Sequence, residues 1–133
     1  MKILLGYNGS NSSEAAIELV KYYAEAFNAN VFVVTSFTQS KEIGLQDMRK
    51  MENAEKKLDG LKAQFKSAGI TCGTRLLVSR LSAGENLIQY AEEKQVELIV
   101  IGINKRSKVE KFLLGSTAQF VILEANCPVV SIK

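Results

Sequence analysis

With 133 residues, 47% of them hydrophobic and 23% charged, the chain has the size and composition of one domain, expected over residues 1–133, that buries roughly two thirds of its unfolded surface. Histidine is absent, which excludes Ser-His-Asp and Cys-His nucleophile activation, histidine metal ligation and phosphohistidine transfer. The net charge of +3 is mild and the lysines are spread along the chain, so nucleic acid is not indicated; no segment approaches the roughly 20 apolar residues of a membrane span, and the expected compartment is the cytoplasm.

Lys2 to Tyr7 (KILLGY) is a short apolar run that reads as a buried strand. It leads into Gly6-Tyr7-Asn8-Gly9-Ser10-Asn11-Ser12, a small polar turn that opens on a helix N-terminus, where free N–H groups favour an anion; an ordinary capped turn has the same composition. The helix is expected over Ser12 to Asn28, with an Asn11-x-x-Glu14 capping box and Ala16, Val20, Tyr23 and Phe27 on one face. A second strand follows at Val31 to Phe37. Lys41 to Ala68 then carries Leu45, Met48, Leu58, Leu61, Phe65 and Ala68 at helical spacing and stops at Gly69. The only two aspartates, Asp47 and Asp59, fall inside this segment, so no aspartate stands at a strand end to accept a phosphoryl group or hold magnesium.

A third strand is expected at Thr74 to Val78 and a helix opened by Ser82-x-x-Glu85, with Leu87, Ile88 and Ala91 inward. Leu98 to Ile101 and Val129 to Ile132 read as the last two strands, separated by a helix over Ser116 to Glu124 with Phe120, Val121 and Leu123 as its apolar positions. Cys72 and Cys127 are isolated and read as buried small hydrophobes. The order βαβαβαβαβ with right-handed crossovers gives an α/β fold, a doubly wound five-stranded parallel sheet with helices on both faces, which puts function at the strand ends.

After the fourth strand, Gly102 stands at the strand end and Gly115-Ser116-Thr117 at the next helix start, with four cations between them. Ser116 and Thr117 can donate to phosphate oxygens or cap the helix. Along its whole length the chain resembles a universal stress protein of the UspA type, on the opening ILLGYNGS turn, the AGENLIQYAEEKQVELIVIG stretch, the loop ending in FLLGSTAQFVI and the closing NCPVVSIK. Nucleotide-binding members of that family carry glycine, two residues, glycine, nine residues, then glycine with serine or threonine. Gly102, Gly115 and Ser116 match that pattern, whereas Lys105 occupies the second glycine position and Asn8 stands where those members have an aspartate.

The resemblance implies an adenine-nucleotide α-hydrolase-like fold and a regulatory domain of the stress response that binds ATP or AMP, with magnesium undecided. It places the adenine near Asn8, Ser36 and Phe37, and the phosphates against Gly102, Asn104, Lys105, Gly115, Ser116 and Thr117. A lysine at position 105 either closes the phosphate groove or neutralises phosphate charge. No catalytic residue and no metal ligand is expected, because the chain lacks histidine and a strand-end carboxylate to activate water, so ATP turnover would be slow at most. The resemblance also implies a homodimer through the terminal strand, Pro128 to Lys133. The alternative is a member of the branch lacking the glycine motif, which acts through protein partners that the sequence does not identify. A flavodoxin-like flavin carrier fits the fold but lacks a Ser/Thr-rich cradle after the first strand.

Overall fold

A computed structural model describes residues 1–103 and 115–133. Strands β1 (Lys2–Gly6), β2 (Asn30–Thr38), β3 (Cys72–Ser79), β4 (Leu98–Gly102) and β5 (Val129–Ile132) alternate with helices α1 (Asn11–Phe27), α2 (Leu45–Ser67), α3 (Ala83–Lys94) and α4 (Ser116–Glu124). All pairings are parallel and the strand order is β3-β2-β1-β4-β5. The chain therefore steps outward from β1 through β2 to β3, then crosses back to β4 and β5. The direction of winding reverses between β1 and β4, where the strand ends of such sheets open a crevice.

Central strands covered on both faces must be apolar on both, and Ile3, Leu4, Leu5, Ile99 and Val100 have no solvent exposure. On one face Ile3, Leu5 and Val33 pack with Ile17 and Val20 of α1 and Leu58 and Phe65 of α2. On the other, Leu4, Val34, Ile99 and Ile101 pack with Leu87 and Tyr90 of α3 and Val121 of α4.

The local signals hold with shifts that have physical causes. The Ser82–Glu85 capping box forms, with Ser82 Oγ accepting from Glu85 N at 3.2 Å and Glu85 Oε1 accepting from Ser82 N at 3.4 Å. At α1 the cap is Ser10, not Asn11: Ser10 Oγ accepts from Ser13 N, while Glu14 accepts from the Tyr7 hydroxyl instead of reaching back to the cap. Helix α2 begins at Leu45 instead of Lys41, and Asp47 Oδ2 accepts from Gly44 N at 3.1 Å. At about 1.5 Å per residue its 23 residues outrun the sheet, so Leu45 and Met48 are exposed and only Leu58, Leu61 and Phe65 are buried. Ala68 is exposed beyond the last turn.

Phe27 is likewise exposed, stacking on Tyr23 at the end of α1. In α4 the buried residues are Ala118 and Val121, while Leu123 faces outward and Phe120, 36% exposed, lies against Gly84 of α3. Cys72 and Cys127 are half-buried at the core margins, and burial holds the Cys72 thiol up at about 11 against the opposing charge of Lys62. The turns after α1, α2 and α3 share one device. Asn28, Gly69 and Gln95 are left-handed, and the next residue, Ala29, Ile70 or Val96, is buried while its N–H returns to the helix.

The tightest backbone approach lies at the crevice. A methyl group placed on Gly102 would sit 2.6 Å from Ser12 Oγ and 2.7 Å from Ser13 N, so only glycine lets the first turn of α1 rest on the end of β4. Gly102→Ala is expected to destabilise the protein by about 1–3 kcal/mol in urea unfolding, because backbone rather than a flexible side-chain end must move.

Candidate functional site at the strand ends

A cleft of about 250 Å³ opens at the ends of β1 and β4. Tyr7 and Asn8 form one side, Gly102, Ile103 and the start of α4 the other, with Val34, Ser36 and Leu87 below. The winding reversal separates α1 from α3 and α4, so strand ends and the N-termini of these three helices converge there.

Of the residues named from sequence, Asn8, Ser36, Gly102, Gly115, Ser116 and Thr117 line this cleft. Phe37 does not: strand alternation puts Val34 and Ser36 on the α3/α4 face and sends Phe37 to the other. Asn104 and Lys105 lie outside the described residues. Tyr7, Ser13, Val34, Leu87 and Ala118 also line the cleft and went unread in the sequence. The period-2 pattern of β2 could have found Val34 once Ser36 was chosen.

Each polar group has a definite state. Asn8 Oδ1 accepts from Ser10 N at 3.0 Å, an Asx turn that commits the oxygen and leaves the amide N–H₂ as the group Asn8 offers to a ligand. Ser36 Oγ is shielded from solvent yet has no hydrogen-bond partner among the described residues. Leaving such a hydroxyl unmet costs about 1–3 kcal/mol. Gly115 is the N-cap of α4 and provides no side-chain cap; neither the Ser116 nor the Thr117 hydroxyl has a partner among the described residues. The capping alternative for these two residues therefore falls away.

The two glycines differ in kind. Gly102 is required by packing against α1, whereas a methyl group on Gly115 meets nothing within 4 Å among the described residues and its φ of −58° suits any residue.

Tyr7 fixes the β1 side. Its N–H donates to Val34 O at 2.9 Å, its carbonyl accepts from Thr35 Oγ1 at 2.8 Å, and its hydroxyl donates to Glu14 Oε1. Burial, then the Glu14 hydrogen bond and charge, push the phenol up to about 12. The raised value means that the neutral phenol is favoured by folding. Its stabilising contribution is complete below the unfolded value near 10 and is lost as pH rises through 12. In a spectrophotometric titration of the four tyrosines, Tyr7→Phe is expected to remove a component titrating near 12; loss of a component near 10 instead would contradict this geometry.

Comparison with known proteins gives this geometry a family. The model of the universal stress protein family matches residues 1–133. A universal stress protein of Methanocaldococcus jannaschii is 30% identical over 141 aligned residues, covering 99% of this chain and 81% of its own length. One from Thermus aquaticus is 30% identical over 138, covering 98% and 97%. The structure of a universal stress protein from Archaeoglobus fulgidus in complex with dAMP aligns with a TM-score of 0.79 at 27% identity, covering 100% of this chain and 98% of that one. With a family match from the first residue to the last and relatives at this identity along nearly the whole length, the chain belongs to the universal stress protein family.

Proposed function

We propose that this chain is a one-domain regulatory protein of the stress response, acting in the cytoplasm, that binds an adenine nucleotide, AMP or ATP, in the strand-end cleft without efficient turnover. The observation that carries the reading is Ser36 Oγ: a shielded hydroxyl with no partner among the described residues, lining a cleft that also holds a helix start with no side-chain cap among them. The dAMP complex of the Archaeoglobus fulgidus relative supports it.

In this reading the phosphates meet the N–H groups and hydroxyls of Ser116 and Thr117, where the α4 dipole favours negative charge and Gly115 leaves room. The base satisfies Ser36, and the Asn8 amide donates to the ribose. Turnover is slow in this reading because, among the described residues, no group lining the cleft is a base that can activate water: the chain has no histidine, and the Glu14 carboxylate accepts from the Tyr7 hydroxyl. Among the described residues, no group of three or more acidic or cysteine side chains could hold a metal ion, so any magnesium would arrive with the nucleotide.

Calorimetric titration with AMP and with ATP, in the presence and absence of magnesium, tests this. Binding is expected with at least one of the two nucleotides, and Ser36→Ala should weaken it by roughly three- to tenfold, the value of one hydrogen bond, without lowering the stability of the free protein. Absence of heat with both nucleotides, or full affinity in Ser36→Ala, would count against it.

A second reading, action through protein contacts, rests on the sheet edge. Ile99 N and Ile103 N donate to Pro128 O and Ile132 O, so Val129 and Ser131 turn their N–H and C=O groups to the open side of β5. Beside this edge α4 exposes Ile122 and Leu123. An open apolar edge invites a second strand, and we propose a homodimer through Pro128 to Lys133, compatible with nucleotide binding; other protein partners are left unnamed. Light scattering should give twice the 14.6 kDa chain mass, and Ser131→Pro, which removes an outward donor without touching the β4 ladder, should give the monomer. A monomer mass for the unaltered chain would contradict the dimer.

A further inference from the structure

A second pocket, of about 200 Å³, opens on the opposite side of the end of β1 and shares Tyr7 and Asn8 with the cleft. Its outer wall is α2, from which Lys50, Asn53 and Lys57 project at i, i+3 and i+7 along one face. Lys57 lies over the loop itself: a methyl group on Gly9 would stand 3.2 Å from Lys57 Nζ, and Gly9 has a φ of +79°, so the ammonium reaches the backbone where no side chain stands.

The two cations have no acidic neighbour on α2 free to pair with them. No acidic residue stands three or four positions from Lys57, where Asn53, Ala54, Gly60 and Leu61 occupy the neighbouring places. The one such neighbour of Lys50 is Asp47, which is engaged with Gly44 N. No carboxylate lines the pocket, and neither lysine makes an ion pair among the described residues. Two lysines and an amide lining one pocket, with the Lys57 ammonium over the glycine turn, form a cradle for a compact anion with several acceptor oxygens.

We infer that the pocket between α2 and the β1–α1 turn is an anion subsite that takes a phosphate-class group. Its occupant is either a free anion or a second phosphate carried on the ribose of the nucleotide in the cleft, which lies just across Asn8. Only the second source rests on the nucleotide reading.

The test is an amide-resolved NMR titration of the full chain with pyrophosphate and no nucleotide. Saturable shifts are expected at Gly9 and Asn53. They should weaken by about fivefold in Lys57→Gln and further in the Lys50→Gln, Lys57→Gln double variant. Both lysines are exposed on a helix surface, so an unchanged thermal midpoint will show that the variants fold. Adenosine 3′,5′-bisphosphate then separates the sources. A preference over AMP that the double variant abolishes identifies the second phosphate of one ligand, and pyrophosphate saturating the pocket beside bound AMP identifies a free anion. Pyrophosphate shifts at Gly9 with no binding of AMP or ATP would leave the subsite standing and remove the nucleotide reading. No saturable shift at Gly9 and Asn53, or the same affinity in the double variant, overturns the inference.

Discussion

The contact between Gly102 and the first turn of α1 is the constraint on which the rest of the site depends. Because β4 ends without a side chain, Ser12 and Ser13 settle against it, both buried, and the polar turn from Asn8 to Ser10 is drawn over the ends of β1 and β4. That placement fixes the cap at Ser10, brings Glu14 to Tyr7, and separates two pockets on either side of one strand. The glycine that suggests a phosphate-binding motif is thus first a packing residue. Gly115, by contrast, relieves no crowding within the described residues and leaves space in front of a helix start.

The groups lining the cleft are suited to hydrogen bonding an acceptor-rich molecule. Among the described residues its hydrogen-bonding groups are mainly donors or hydroxyls: the Asn8 amide, the Ser36 hydroxyl, and the start of α4 with Ser116 and Thr117. Such groups stabilise an acceptor-rich molecule, but none is a base poised to take a proton from water. The shielded Ser36 hydroxyl, without a partner among the described residues, stands on a strand that the core fixes, so its cost is carried by the fold. Charge is arranged to match, with Lys57 standing over the turn.

The architecture was legible because periodicity and punctuation agree along the chain. Five apolar runs alternate with amphipathic segments, and Gly69 and the Ser82–Glu85 pair mark ends that the structure keeps. What escaped is set by tertiary geometry. Nothing local says that α2 overhangs the sheet and exposes Leu45 and Met48, or that Asn28 and Gln95 adopt the left-handed turn that the sequence announces only at Gly69. At the site, glycine and hydroxyl positions could be read from loop composition, but the face on which a strand residue points could not be taken from nearness alone. Ser36 and Phe37 are adjacent, and only Ser36 lines the cleft. The α2 lysines had no signal in a composition of scattered charges, because their meaning comes from the turn they reach.

On the proposed function, Ser36 and the start of α4 are two ends of one nucleotide site. A crystal structure of the protein grown with AMP tests it most directly. Phosphate oxygens are expected against the N–H groups of Ser116 and Thr117, with an acceptor of the nucleotide within hydrogen-bonding distance of Ser36 Oγ. A cleft holding only water at saturating AMP, or a nucleotide bound elsewhere on the molecule, would contradict it.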